Sequence, residues 1–200
     1  MSNHPIATAT RGLNVKQLAL TGLMTAVLCI LGPLSLNIPI SPVPISLGFL
    51  GIYFICSVLG MKLGTLSVVV YILLGLAGLP VFTGFTGGPG KLFGPTGGYI
   101  IGYTFMALLC GLGVDKGKGR LLPTLAGMIL GSVVGYLFGT VWLARQQSIG
   151  FVQALFLGVI PYIPVDIVKL AVGVAVGSRL RRRLLQAGLL VPAQAPVKVS

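Results

Sequence analysis

The chain has 200 residues, of which 55% are hydrophobic and only 8% are charged, and its mean hydropathy is +1.01. A soluble domain carries about 25% charged residues, so this composition excludes a water-facing surface over most of the molecule and predicts an integral membrane protein. The net charge of +12 does not indicate nucleic-acid binding, because the basic residues form short clusters between apolar runs, as membrane topology requires.

Six apolar runs follow a polar tail at residues 1–16. They cover about residues 17–36, 46–61, 64–80, 98–114, 121–144 and 149–178. A spanning helix needs about 20 apolar residues, and the shorter runs are still acceptable because short helices are tolerated around a protein-enclosed cavity. We therefore predict an all-α integral membrane protein, a compact bundle of six transmembrane helices over residues 17–180, with a basic tail at 181–200.

Three segments between or within these runs have irregular backbone. The segment 37–46 contains three prolines, which cannot continue a helix, and is predicted to be an extended loop. The segment 83–98 contains seven glycines and two prolines and shows no helical pattern. Pro161 and Pro164 interrupt the last run, so we expect a broken helix there.

The positive-inside rule chooses the orientation of the six spans. With both termini in the cytoplasm, eleven of the 14 basic residues fall on the cytoplasmic side, namely Arg11, Lys16, Lys62, Lys116, Lys118, Arg120, Arg179, Arg181, Arg182, Arg183 and Lys198. Lys91 and Arg145 fall in outer loops, and Lys169 lies within a span. The three irregular segments then all face the outside.

Small residues mark two helix faces. Glycines repeat every fourth residue in the fifth run, at positions 127, 131, 135 and 139, and such a stripe favours close packing against another helix of the bundle. Ala19, Gly22 and Ala26 form a small-residue face in the first run. For this face, internal packing and docking of a partner subunit both remain open.

Enzymatic chemistry is excluded by the residue inventory, and we predict no catalytic residues. The chain has two carboxylate side chains and a single histidine, His4, in the polar tail, so paired carboxylates and a Ser-His arrangement are missing. The Gly-rich segment fails the Walker A pattern because Phe85 and Leu92 occupy required positions. The three cysteines stand alone in apolar runs, so we predict no metal site and no cofactor.

Asp166 and Lys169 are the exception to the apolar pattern of the last run. They stand at i and i+3 on one helix face, just after Pro164. Charges in a bilayer are costly and usually face a cavity and pair, and broken helices form solute sites in transporters. The pair offers an acceptor and a cationic donor, which suits a small solute with N–H and C=O groups. Alternatively, the two charges only neutralise each other.

The sequence resembles the BioY family, the biotin-specific S components of energy-coupling factor transporters. The resemblance is carried by Pro80-Val-Phe-Thr-Gly-Phe85, Gly94-Pro-Thr-Gly-Gly-Tyr99-Ile-Ile-Gly102, Ser41-Pro-Val-Pro-Ile-Ser-Leu47 and Pro161-Tyr-Ile-Pro-Val-Asp166-Ile-Val-Lys169. It extends over about residues 14–180. It implies a six-helix plasma-membrane subunit that captures biotin from outside and delivers it inward, with ATP hydrolysed by partner subunits.

The resemblance also implies roles for individual residues. Asp166 and Lys169 would contact the biotin head group, and the outer loops would close over the ligand with Phe82, Thr83, Gly84, Lys91, Thr96, Gly97, Gly98 and Tyr99. The small residues Ala19, Gly22 and Ala26 would dock on an energy-coupling transmembrane subunit, which carries two cytoplasmic ATPase subunits. Gly48 departs from the family pattern, which has Gln at this position.

Two other classes of function stay open on the residues alone. One is an ion-coupled secondary transporter that acts in the bilayer without partners, for which Asp166 could carry a proton. The other is a small helical scaffold without a ligand.

Overall fold

The computed structural model describes residues 14–36 and 42–190, which form helices and one small antiparallel ladder. The helices are α1 Val15–Leu31, α2 Gly48–Leu76, α3 Pro89–Leu92, α4 Gly97–Gly117, α5 Leu121–Gln146, α6 Phe151–Gly158 and α7 Ile163–Gln186, and the strands are β1 Ser35–Leu36 and β2 Ile45–Ser46. The polar tails at 1–13 and 191–200 and the Pro-rich residues 37–41 lie outside the described residues.

Four helical stretches within this part of the chain are long and apolar enough to cross a membrane. They are α2, α4, α5 and the combined stretch Phe151–Gln186, while α1 is a shorter apolar helix. These helices coincide with the apolar runs of the sequence. Several long apolar helices in one chain make the protein a multi-pass membrane protein. The β1–β2 ladder was not expected. It pairs Ser35 with Ser46 and Leu36 with Ile45, and so closes the base of the Pro-rich loop.

The second and third predicted runs meet at a sharp reversal inside α2. Gly60 is not helical, with φ of 79° and ψ of −164°. A Cβ built on Gly64 lies only 3.3 Å from the Cα of Cys56, although eight residues of continuous helix would rise about 12 Å. The two halves of α2 therefore pack side by side, and the reversal occurs two residues before Lys62, where the turn was predicted.

A polar cluster holds this reversal together. Asp115 Oδ2 accepts the N–H of Met61 at 2.9 Å, and Asp115 Oδ1 pairs with Arg181 at 3.2 Å. Arg181 also donates to the carbonyl of Val58 at 2.9 Å. The backbone groups left unsatisfied by the break at Gly60 are thus bound by side chains from α4 and α7.

The ends of several helices differ from their predicted limits. The segment 83–98 contains a single helical turn, α3, and an isolated bridge between Phe82 and Thr86. The break in the last run is a short 3₁₀ turn, Ile160–Tyr162. Since α7 starts at Ile163, Pro164 lies inside its first turn, where a proline is tolerated. At the other end α7 continues to Gln186, so the basic cluster 179–183 is helical rather than part of a tail.

The glycine stripe of α5 packs against another helix of the bundle, as predicted, and that helix is α4. A Cβ on Gly127 would lie 2.6 Å from the Cα of Gly113, and one on Gly131 would lie 2.8 Å from the carbonyl oxygen of Met106. On α7, a Cβ on Gly177 would lie 2.5 Å from Cβ of Ser57 in α2. These contacts bring backbones together without any side chain between them, which is how membrane helices associate most closely.

The bundle has two different ends. The end that carries the β1–β2 hairpin, the segment 77–96 and the break at 159–162 is called the loop end. The end that carries the reversal at Gly60 and the turn 118–120 between α4 and α5 is called the turn end. The described parts of the three irregular segments named in the sequence all lie at the loop end.

Candidate ligand-binding site

A cavity lies at the loop end and encloses about 490 Å³ of space between protein atoms, part of it open to solvent. It is lined by Val43, Pro44, Ser46, Phe49, Thr83, Thr96, Tyr99, Ile100, Tyr103, Tyr136, Gly158, Tyr162, Asp166 and Lys169. The wall is mainly aromatic and aliphatic, and its two charged groups belong to the pair singled out in the sequence.

Asp166 and Lys169 form a buried ion pair in the cavity wall. Lys169 Nζ lies 2.7 Å from Asp166 Oδ1, and the two residues are 7% and 8% exposed. Asp166 is in the first turn of α7, where the positive end of the helix dipole stabilises a carboxylate. The break at 159–162 creates this helix start within the apolar stretch Phe151–Gln186 and thereby provides a place for the charge.

Each member of the pair has a second partner from another part of the chain. Lys169 Nζ donates to the carbonyl oxygen of Ser46 at 2.7 Å, and the hydroxyl of Tyr136 on α5 donates to Asp166 Oδ2. Among the described residues these contacts use two ammonium protons of Lys169 and one lone pair on each carboxylate oxygen. One N–H donor and further lone pairs remain for a solute.

Aromatic rings form the wall beside the pair. Phe49 meets Tyr103 edge to face, with ring centroids 5.6 Å apart, and lies 5.4 Å from the ring of Tyr136. Tyr99 is 6% exposed and donates to the carbonyl oxygen of Gly158 at 3.1 Å. These rings offer flat apolar surface next to polar atoms, which suits a compact ring system with polar edges.

Two loops are hydrogen-bonded to the 3₁₀ turn before α7 and to α5, which lie around the pair. The Tyr162 hydroxyl donates to the carbonyl oxygen of Val43, next to the Ser46 contact of Lys169. On the other side, Trp142 Nε1 donates to the carbonyl oxygen of Gly94 at 2.9 Å. The hairpin loop and the Gly-rich loop therefore both cover the cavity, and each is held by more than one side-chain hydrogen bond.

Half of the residues named in the sequence as solute contacts line this cavity. Thr83, Thr96, Tyr99, Asp166 and Lys169 are brought together there. Their contact with a solute stays a prediction.

The other five residues lie beside the cavity and do not line it. Phe82 is fully buried against Tyr71, Gly84 has φ of 77° in a turn, and a Cβ on Gly97 or Gly98 would collide with Leu92 or Trp142. Lys91 is half-buried in α3, and burial lowers the pKa of its ammonium group. The positions of Phe82, Gly84, Gly97 and Gly98 indicate that they shape the Gly-rich segment.

The departure at Gly48 has a local explanation. A Cβ built there would lie 2.9 Å from the hydroxyl oxygen of Tyr103, and Tyr103 lines the cavity. The phenol of Tyr103 thus occupies space that a longer side chain at position 48 would need.

Sequence reasoning missed Tyr136, Tyr103, Phe49 and Tyr162 as cavity residues. The available signal was weak. A tyrosine in an apolar run needs a partner for its hydroxyl when buried, but the sequence does not indicate which residue that partner is.

Comparison with known proteins agrees with this architecture. Residues 3–186 match the profile of the BioY family. A probable biotin transporter BioY of Pyrococcus horikoshii is 41% identical over 169 residues, covering 84% of this chain and 98% of the relative. The biotin transporter BioY of Thermotoga maritima is 36% identical, with 84% and 97% covered, and that of Rhizobium etli is 36% identical, with 92% and 100% covered.

A solved structure is also similar. It is the crystal structure of the S-component for biotin from an ECF-type ABC transporter, with a TM-score of 0.78 and 36% identity, covering 84% of this chain and 92% of that one. The match of the family profile to nearly the whole chain, and relatives aligned along almost their full lengths, show that this chain belongs to the BioY family.

Proposed function

We propose that this chain is the biotin-binding S component of an energy-coupling factor importer. It captures biotin from outside and delivers it inward while partner subunits hydrolyse ATP. The observation that carries the proposal is the buried Asp166–Lys169 pair in a cavity under two loops, in a chain similar to an S-component for biotin. The protein is a membrane transport component and not an enzyme.

The donors and acceptors of the pair fit the ureido ring of biotin. That ring has two N–H groups and one carbonyl oxygen. Asp166 accepts the N–H groups through its remaining lone pairs, and Lys169 donates its remaining N–H to the carbonyl. The rings of Phe49 and Tyr99 pack against the bicyclic body of the ligand, and Lys91 in the Gly-rich loop is the candidate contact for the carboxylate of the valerate chain.

Six spans with both termini in the cytoplasm fit this role. The spans are α1, the two halves of α2 on either side of Gly60, α4, α5, and α6 with α7. An even number of spans places both termini on one side. The turn end carries most of the described basic residues, namely Lys62, Lys116, Lys118, Arg120 and the cluster 179–183. The positive-inside rule therefore assigns this end to the cytoplasm. The cavity then opens to the outside.

The exposed face of α1 is the proposed docking surface for the energy-coupling subunit. Ala19, Gly22 and Ala26 are all exposed, whereas the buried residues of this helix are on its other face. A Cβ on Gly22 would meet no atom within 4 Å. A face of small residues that is left exposed by the described part of the bundle supports close approach of a partner helix.

Calorimetry with biotin tests the binding step. The purified chain is expected to bind biotin with sub-micromolar affinity, and Asp166→Asn and Lys169→Ala are each expected to abolish measurable binding. Lys62→Ala, which removes a lysine at the turn end, serves as the matched control and should bind like wild type. No heat with biotin, or normal binding by both site variants, would refute the proposal.

Uptake by cells tests the transport step and separates the ion-coupled alternative. Biotin uptake is expected to require co-expression of the energy-coupling subunits and to stop when their ATPase is inactivated. Uptake by the chain alone that collapses with the proton gradient would instead establish an ion-coupled transporter.

A further inference from the structure

A larger cleft lies at the turn end and shares no lining residue with the ligand cavity. It is lined by Ser57, Val114, Asp115, Lys118, Gly119, Arg120, Leu121, Thr124, Val174, Ser178, Arg181, Arg182 and Leu185. We name it the basic cleft. The turn 118–120 forms one rim, with Lys118 at φ of 45° and Gly119 at φ of 87°, and the end of α7 forms the other.

The basic cleft carries positive charge that no carboxylate side chain is left to neutralise. The chain has only two carboxylate side chains. Asp166 is paired at the loop end, and Asp115 is bound by Arg181 and the Met61 N–H. Lys118, Arg120 and Arg182 therefore face the cleft with no carboxylate side chain left to pair with them.

The floor of the cleft adds two features that favour an anion with an apolar part. Ser57 is 2% exposed, lines the cleft, and its Oγ has no hydrogen-bond partner. Helix α5 begins at Leu121 with no side-chain cap and no acidic residue in its first turn, so its N–H groups add positive potential. The walls between these groups are aliphatic, from residues such as Val174 and Leu185.

An apolar groove between α5 and α7 lies close to the cleft. It is lined by Tyr53, Ile129, Ser132, Val133, Tyr136, Leu137, Thr140, Phe151, Leu155, Val159, Ile163, Asp166, Ile167 and Leu170. Tyr53 and Leu170 line the groove, and Ser57 and Val174, four residues further along the same helices, line the cleft. One turn of helix rises about 5.4 Å, so the groove begins where the cleft ends.

We propose that the cleft and the groove together bind one anionic phospholipid of the cytoplasmic leaflet. Its phosphate lies among Lys118, Arg120 and Arg182, and an acyl chain runs along the groove between α5 and α7. The assignment rests on charge complementarity at the cleft and on the apolar groove that adjoins it. It uses the orientation proposed above, with the turn end in the cytoplasm, and does not depend on the identity of the transported solute.

Native mass spectrometry of the detergent-purified chain tests this proposal. Phosphatidylglycerol is compared with phosphatidylcholine of the same acyl chains, and binding to wild type should strongly favour phosphatidylglycerol. The triple variant Lys118→Gln/Arg120→Gln/Arg182→Gln should bind phosphatidylglycerol about 100-fold more weakly, since each basic residue near a membrane surface contributes about fivefold.

A second triple variant provides the matched control. Lys116→Gln/Arg179→Gln/Arg183→Gln removes three charges from the same two segments, but these residues do not line the cleft. It should retain wild-type preference for phosphatidylglycerol. Equal losses in both triple variants would show only a general attraction to basic residues and would overturn the site.

Two further measurements keep the result interpretable. Thermal unfolding in phosphatidylcholine should be unchanged in both variants, and phosphatidylglycerol should raise the melting temperature of wild type but not of the cleft variant. Glycerol 3-phosphate, which has the phosphate without acyl chains, should not displace phosphatidylglycerol at equal concentration. Displacement would assign the cleft to a free phosphate and refute the lipid.

Discussion

The Tyr99 ring packs against Gly139 of α5 and also lines the ligand cavity, so it links the glycine stripe to the cavity. A Gly139→Ala substitution, which adds one methyl group, tests this link. In Gly139→Ala the added Cβ would lie 2.1 Å from two carbons of the Tyr99 ring and 2.4 Å from its Cγ. The ring has little room to move away, because its hydroxyl end is also close to Gly158, where a Cβ would lie 2.1 Å from that oxygen. We predict that Gly139→Ala damages both the packing and the cavity.

The size of the effect follows from the distances. Ordinary carbon contacts are about 3.5 Å or longer, so the Tyr99 ring must move by about 1.4 Å. Overpacking of this kind costs about 1–3 kcal/mol, and losing the Tyr99 bond to the carbonyl of Gly158 costs about 0.5–1.5 kcal/mol. The better helix propensity of alanine returns at most about 1 kcal/mol.

Gly135→Ala is the matched control, one turn earlier on the same helix face. Its Cβ would lie 3.7 Å from Cβ of Met106 and 3.9 Å from Phe49, which are normal contacts. This variant should be neutral or slightly more stable than wild type. The difference between the two alanine variants is therefore about 2–4 kcal/mol in the free energy of unfolding.

Thermal unfolding in one detergent and calorimetry with biotin measure the two consequences. At about 2–4 °C per kcal/mol for a chain of this size, Gly139→Ala should melt about 5–15 °C below Gly135→Ala. Because Tyr99 lines the cavity, Gly139→Ala should also weaken biotin binding at least about tenfold, which is about 1.4 kcal/mol. Equal melting temperatures and equal affinities in the two variants would refute the reasoning.

Three further predictions concern separate parts of the molecule. Tyr136→Phe should weaken biotin binding measured by calorimetry about 10- to 100-fold, since it removes a hydrogen bond to the charged Asp166 carboxylate, worth about 1.5–3 kcal/mol; unchanged affinity would contradict this. Asp115→Asn should lower the free energy of unfolding by about 1–3 kcal/mol, because the reversal at Gly60 loses its charged acceptor, while biotin affinity stays at the wild-type value; an unchanged melting temperature would argue against it. Ala26→Leu should prevent co-purification with the energy-coupling subunit and leave biotin affinity unchanged, so a variant that still co-purifies at wild-type yield would exclude this face of α1.

The sequence was sufficient for those features that depend on local composition and spacing. Long apolar runs predict membrane helices because lipid cannot satisfy a polar surface. The i, i+3 spacing of Asp166 and Lys169 places both on one helix face, and the prolines before them predict the helix break that puts Asp166 in a first turn. The glycine stripe of α5 likewise predicted close helix packing, since small side chains on one face leave the backbone accessible.

Other features depend on contacts between residues far apart in the chain, and only the tertiary structure decided them. The partners of the charge pair are Ser46, 123 residues before Lys169, and Tyr136, 30 residues before Asp166. Asp115 stood in the sequence as an isolated acid among basic residues, and the fold placed it under the reversal at Gly60. Nearby residues do not reveal which group pairs with a buried hydroxyl or with a backbone N–H left free by a helix break. Any chain segment that packing brings within about 3 Å can supply that partner.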